Sequence, residues 1–201
     1  MDILVGCEES QTLCKAFRKL GHKAFSCDLE DTRGNDAWHI KGDIMEIMKI
    51  KWDAIFLFPD CTAMALSGNR WYGEGMPYNN ERIDAILWTQ ALWSMAKRYS
   101  DYTMLENPAS VIFRHIEADV QYIHPWQFGH AENKRTGLAL NNLPRLRPTK
   151  IVDEREDRVW RMAPGENRKR DRSKTYDGIA EAMAVQWSYY MQTGKDRKSV
   201  V

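Results

Sequence analysis

The chain has 201 residues, 43% of them hydrophobic, and a formal net charge of +1. That length fits one ordinary domain with at most a small appendage, and the apolar content excludes wholesale disorder. The charge is unevenly placed: residues 133–174 hold 13 Lys and Arg against 6 Asp and Glu, so the remainder is net negative. Such asymmetry points to a surface facing an anion, nucleic acid first, against the plainer reading of a solvated arginine-rich face.

Ile3–Val5 reads as a short buried strand leading through Cys7-Glu8-Glu9-Ser10 into a helix, with Leu13, Cys14, Phe17 and Leu20 at helical spacing and Gly21 as its stop. Lys23–Cys27 follows as a second strand ending at Asp28, and a third is expected to end near Gly42-Asp43. The fourth runs Ala54–Phe58 into Pro59-Asp60-Cys61, and residues 67–80 read as a loop. A helix is expected over about 81–98 with Ile83, Ile86, Leu87, Ala91 and Met95 on its inner face. The fifth strand, Thr103–Leu105, ends in Glu106-Asn107-Pro108. Trp126–Phe128 and Gly137–Leu140 are expected as further strands, antiparallel ones among them. A last helix is read over about 178–192, with Ile179, Met183, Trp187 and Tyr190 inward, before a frayed tail at 193–201. The alternation predicts an α/β fold: an open, mostly parallel sheet with helices on both faces, in one domain over 1–192.

The cysteines, Cys7, Cys14, Cys27 and Cys61, lack paired-ligand spacing and the five histidines are scattered, so no metal site is expected. Strand carboxyl ends in a parallel sheet face one crevice. Cys61 and Glu106 both lie at such ends, and a thiol beside a proton-donating acid is a workable pair for attacking an electron-poor ring. For Cys61 alone the plainer reading is a small buried hydrophobe, and for Glu106 a cap or ion-pair partner. Asp28 and Asp43 end strands where an acid accepts bonds from ribose hydroxyls or an adenine amino group, or else caps a turn. The first loop carries no Gly-x-Gly pattern, which favours a cofactor without phosphate, such as S-adenosylmethionine.

Phe58-Pro-Asp-Cys61 followed by Ser67-Gly68 resembles the Pro-Cys motif of the C5 cytosine DNA methyltransferases, and Glu106-Asn107-Pro108 resembles their Glu-Asn-Val motif. Phe128-Gly129 with Asn133-Lys-Arg135 is similar to the start of their Gln-x-Arg-x-Arg motif, and Arg172–Ala180 sits where the closing motif and helix stand. The nearest likeness is to short phage-encoded members lacking a full target-recognition domain, replaced here by a small basic segment at about 141–174. The resemblance implies a Rossmann-like, S-adenosylmethionine-dependent enzyme that adds Cys61 to C6 of an extruded cytosine in DNA, with Glu106 at N3 and Arg135 assisting. It implies cofactor contacts from Cys7, Glu8, Glu9, Ser10, Asp28, Asp43 and Pro59. It also implies nucleic-acid contacts from Arg70, Trp71, Lys134, Arg168, Lys169, Arg170 and Arg172, a cytoplasmic location (a bacterial host's if phage-encoded), and room for a partner protein supplying sequence recognition. This chain departs from the family pattern in the first loop, in Asp60 between Pro and Cys, and in Gly137 where a second Arg is usual. Two alternatives stay open: a binding protein that has lost the chemistry, and the same thiol addition on RNA or a nucleotide.

Overall fold

The structure is a computed structural model describing residues 1–157 and 174–196. Seven strands form one sheet in the order β3-β2-β1-β4-β5-β7-β6. They are β1 (Asp2–Gly6), β2 (Lys23–Asp28), β3 (His39–Lys41), β4 (Ala54–Leu57), β5 (Tyr102–Pro108), β6 (Asp119–Ile123) and β7 (Thr136–Asn141). The first five run parallel, while β7 is antiparallel to both β5 and β6. Helices α1 (Thr12–Lys19), α2 (Ile44–Ile47), α3 (Asn69–Tyr72), α4 (Asn79–Tyr99) and α5 (Asp177–Thr193) complete the described regular elements, with a few short 3-10 turns.

Strand order reverses about β1, which pairs with β2 on one side and β4 on the other. That reversal opens a crevice beyond the carboxyl ends of β1 and β4, the usual ligand position in such sheets. The strands are apolar on both faces, as burial under two helical layers requires. Ile3, Val5, Phe56 and Met104 meet α1 and α5, where Phe17, Phe56 and Trp187 stack with ring centroids 4.9 and 5.5 Å apart. Leu4, Ile55, Leu57 and Leu105 meet α2 and α4 through Met48, Leu92 and Trp93.

Several expectations need correction. Trp126–Phe128 is no strand; Pro125–Gln127 is a 3-10 turn, and the strand precedes it as β6. Glu106 and Asn107 do not follow β5 but belong to it, held by pairing with Leu138 and Gly137 of β7. The stretch 67–80 is partly helical, containing α3. Most importantly, α4 is rotated from its expected setting. Arg82, Thr89, Leu92, Trp93 and Ala96 face inward, whereas Ile83, Leu87 and Ala91 are exposed.

Candidate active site

β4 and β5 are hydrogen-bonded neighbours with Leu57 opposite Leu105, so the chain leaving β4 at Phe58 runs beside Glu106–Pro108, which continue β5. From β4 it turns through Phe58 to Cys61. Asp60 shapes the turn: its Oδ1 accepts from the Thr62 amide at 2.9 Å and from the Thr62 hydroxyl at 2.6 Å. The carbonyl of Cys61 accepts the amides of Met64 and Ala65. From β5, buried Asn107 donates through Nδ2 to the Pro59 carbonyl at 3.1 Å, tying the thiol's loop to the acid's strand. Arg82 fixes the other side of the loop, donating to the Ala63 carbonyl at 2.7 Å and to Asn69 Oδ1 at 2.8 Å.

Cys61, Glu106 and Lys134 lie within electrostatic reach of one another. Burial, then the charges of Glu106 and Asp60, push the Cys61 thiol up to about 11, against a smaller downward pull from Lys134. Burial also raises the Glu106 carboxyl, with Lys134 again opposing. In the resting protein the thiol therefore stays protonated at neutral pH, and burial makes the Glu106 proton harder to lose than that of an ordinary carboxyl. Glu106 faces a gap of about 10 Å³ lined by Lys134, Thr136, Lys174 and Tyr176 with Ile179 and Met183 of α5, room for a single water and too small for a ring.

Arg135 is placed differently from Lys134. It is exposed, and its guanidinium lies 3.9 Å from the centre of the Tyr122 ring. Gly137 has no room for a side chain, since a Cβ there would fall 2.4 Å from the Phe113 ring.

The other half of the crevice lies beyond β1 and β2. Cys7 sits at φ 59° and is half-buried. Its thiol is raised by burial and then by Asp28, Cys27, Asp43 and Asp60, which places three carboxylates around it. Asp28 is half-buried, its carboxyl raised chiefly by burial, and Oδ1 accepts the Glu30 amide at 3.0 Å. Asp43 is exposed and caps α2 through the Met45 amide at 2.9 Å.

Glu8 departs from the expectation that it faces a cofactor. It turns inward, is 5% exposed, and accepts the α1 amides of Leu13 at 2.6 Å and Cys14 at 3.2 Å. A carboxylate of the chain itself thus fills the helix N-terminus where a nucleotide phosphate would sit. Glu9 binds Arg33, whose Nε donates to Oε2 at 2.8 Å, and Ser10 touches the Thr12 hydroxyl at 3.1 Å. Ser10, Thr12 and Lys15 border a cavity of about 250 Å³ closed by Lys174, Asp177 and Glu181.

Arg70 and Trp71 lie on α3, the guanidinium 5.4 Å from the indole centre, and Trp71 leans on Tyr78 with centroids 6.5 Å apart. Arg168, Lys169, Arg170 and Arg172 lie outside the described residues. Among the described residues no three His, Cys, Asp or Glu side chains gather closely enough to hold a metal ion, and no helix is long and apolar enough to cross a membrane. Sequence reasoning missed Arg82, Lys174 and Tyr176. The last two lie within the Arg172–Ala180 stretch that resembles the closing motif, whereas nothing local marks Arg82.

No protein-family profile and no curated protein sequence matches the chain. Among solved structures it is similar to the Entamoeba histolytica methyltransferase EhMeth, with a TM-score of 0.50 and 11% identity over 76% of this chain and 57% of that one. The chain has a Rossmann-like methyltransferase fold. Looser likenesses include a protein proposed to be a DNA modification methyltransferase, encoded within an E. coli prophage (TM-score 0.45, 11% identity, 82% of this chain and 55% of that one). Another is the S. pombe Dnmt2 methyltransferase (TM-score 0.41, 14% identity, 83% and 57%). The chain spans just over half the length of each.

Proposed function

We propose that the protein transfers a methyl group from S-adenosylmethionine to C5 of cytosine in DNA through a covalent adduct on Cys61. The observation that carries this reading is the meeting of Cys61, just past β4, with Glu106 of the neighbouring parallel strand β5 and Lys134, which precedes antiparallel β7. After losing its proton to solvent, the Cys61 sulfur adds to C6 while Glu106 gives its proton to N3, so the ring electrons collect at C5 rather than as charge on the base. Lys134 stabilises the carboxylate that Glu106 becomes. Once C5 has been methylated, the C5 proton passes to a solvent water, its bonding pair restores the C5–C6 double bond, the sulfur departs as the thiolate, and the N3 proton returns to Glu106.

The crevice fits the cofactor by charge. Asp28, Asp43 and Asp60 cluster about Cys7, an anionic setting that suits a sulfonium and ribose hydroxyls. Glu8 already occupies the phosphate position, which disfavours dinucleotides. S-adenosylmethionine, when bound, supplies an electrophilic methyl group; Cys7, Ser10, Asp28, Asp43 and Pro59 are the residues we assign to hold it. Arg70, Trp71 and Lys134 are assigned to the nucleic acid, with Arg168, Lys169, Arg170 and Arg172 added on sequence alone. Arg135, laid on Tyr122, is better suited to a phosphate than to the base.

The test is incubation with S-adenosylmethionine and DNA containing 5-fluorocytosine, whose fluorine cannot leave as a proton does. A denaturant-stable adduct mapping to Cys61, absent in Cys61→Ser, is expected. Turnover of ordinary DNA without any trapped adduct would refute the covalent route, and trapping only on RNA or free nucleotide would move the substrate assignment.

A further inference from the structure

Seven of the thirteen exposed large apolar side chains among the described residues fall between Leu66 and Trp88. Ile83, 47% exposed, and Leu87, 58%, lie along one face of α4, with Trp88, 41%, at its edge. Ala91 continues the stripe one turn further and is exposed as well. Isolated apolar side chains on a surface need no explanation, whereas a contiguous stripe on a long helix marks an interaction site.

The same face carries one charge of each sign. Asp84 lies seven residues before Ala91 and Arg98 seven residues after it. Both are exposed, and neither belongs to an ion pair among the described residues. At 100° per residue, Ile83, Asp84, Leu87, Ala91, Ser94 and Arg98 fall within about a 100° sector of the helix. A two-fold axis through Ala91 would set α4 antiparallel to its own copy. Asp84 would then stand opposite Arg98 twice, Leu87 opposite Met95, and Trp88 opposite Ser94. The small Ala91 at the crossing permits the close interaxial approach, about 8 Å, that such packing favours.

We propose that α4 is the contact surface of a two-fold homodimer with this register. A second copy is favoured over nucleic acid because the stripe is apolar and its two charges, Asp84 and Arg98, cancel, so the face offers phosphate no net attraction. It is favoured over an unrelated protein because the face is complementary to itself, as a two-fold interface requires. The assignment is independent of the reaction proposed above.

Sedimentation velocity on the full chain, from about 1 to 100 µM, tests it. The wild type is expected to pass from monomer to dimer over that range, and Leu87→Glu to remain monomeric with an unchanged circular dichroism spectrum. Asp84→Arg and Arg98→Asp are each expected to weaken association at least roughly tenfold by setting like charges opposite, and the double exchange to restore it. A wild type that stays monomeric at the highest concentration overturns the proposal, as does a dimer indifferent to Leu87→Glu. Failure of the double exchange to restore association overturns the antiparallel register. Loss of DNA binding in Leu87→Glu, with the wild type monomeric throughout, would give the face to nucleic acid instead.

Discussion

The resting state of Cys61 is open to direct measurement. An ordinary thiol at 9.0 is compared with one held at about 11 by burial and by the charges of Glu106 and Asp60. At pH 7.5 that difference leaves about 100-fold less thiolate. The more basic thiolate is intrinsically the better nucleophile, and a Brønsted coefficient of about 0.4–0.5 returns roughly tenfold of the loss. The net expectation is a reaction with a neutral disulfide such as dipyridyl disulfide about tenfold slower than that of an unhindered peptide thiol, before any steric effect. The pH profile discriminates better than the rate, because access scales every point equally. Labelling of the Cys61 peptide, followed by mass spectrometry, should keep rising through pH 10. Glu106→Gln removes the largest charge acting on the thiol and should shift the profile to lower pH; Lys134→Ala removes the opposing cation and should shift it higher. A profile that levels off between pH 8 and 9 in the wild type, or one untouched by Glu106→Gln, would refute the proximity on which the proposed reaction rests.

Gly178→Ala places a Cβ 2.0 Å from the Phe128 carbonyl oxygen and 3.0 Å from His130 Nε2, so backbone must move; thermal unfolding should show a loss of about 2 kcal/mol or more. Trp187→Ala removes the end ring stacked on Phe56 and the indole donor to the Pro144 carbonyl, which should cost about 3–5 kcal/mol in urea unfolding. The Glu8 carboxyl is raised from 4.5 to about 7 by burial, so it favours the fold fully below pH 4.5 and progressively less as pH rises through 7. The wild type should thus lose up to about 3 kcal/mol between pH 4.5 and 8 that Glu8→Gln does not lose, and equal pH slopes for the two would refute this.

The ends of β1, β2 and β4 were legible because apolar runs bounded by Pro, Asp or Gly leave little choice of structure, whereas pairing with β7 carries β5 three residues past the expected Leu105. Cys61 and Glu106 were accordingly placed from the sequence at the mouth of one crevice. The face of α4 was not legible. That helix is apolar nearly all round, from Ile83 and Ile86 through Leu92 and Trp93 to Ala96, so several registers of its periodicity compete. The core selected the one with the largest side chains, Leu92 and Trp93, and accepted Arg82 on the buried side because three oxygens receive it. Strand β6 escaped notice because Asp119-Val-Gln-Tyr-Ile123 edges the sheet and is only half-buried, while the aromatic Trp126 beyond it drew the assignment. The inward turn of Glu8 has no local signature either. It depends on Gln11 adopting φ 57°, which brings the start of α1 back over the loop, and that conformation is held by distant Asn35 and Ser26.

The electrostatics of the site carry a consequence for how the proposed reaction begins. Glu106 is the largest charge raising the Cys61 thiol, and Glu106 itself is raised by burial. A protonated Glu106 exerts no such repulsion, so the two groups are linked: whatever keeps the acid neutral makes the thiolate easier to form. A pyrimidine whose N3 accepts the Glu106 proton in a hydrogen bond does this, because it favours the neutral acid over the carboxylate. Lys134 acts on both groups in the opposite sense to burial, and its influence grows when a base bound over the site excludes solvent. Any negative charge that Glu106 carries suppresses the thiolate, and the ring that needs the nucleophile also removes that charge. This order of events protects a half-exposed cysteine from adventitious reaction, and it makes binding of the base, rather than the intrinsic acidity of Cys61, the step on which the chemistry depends.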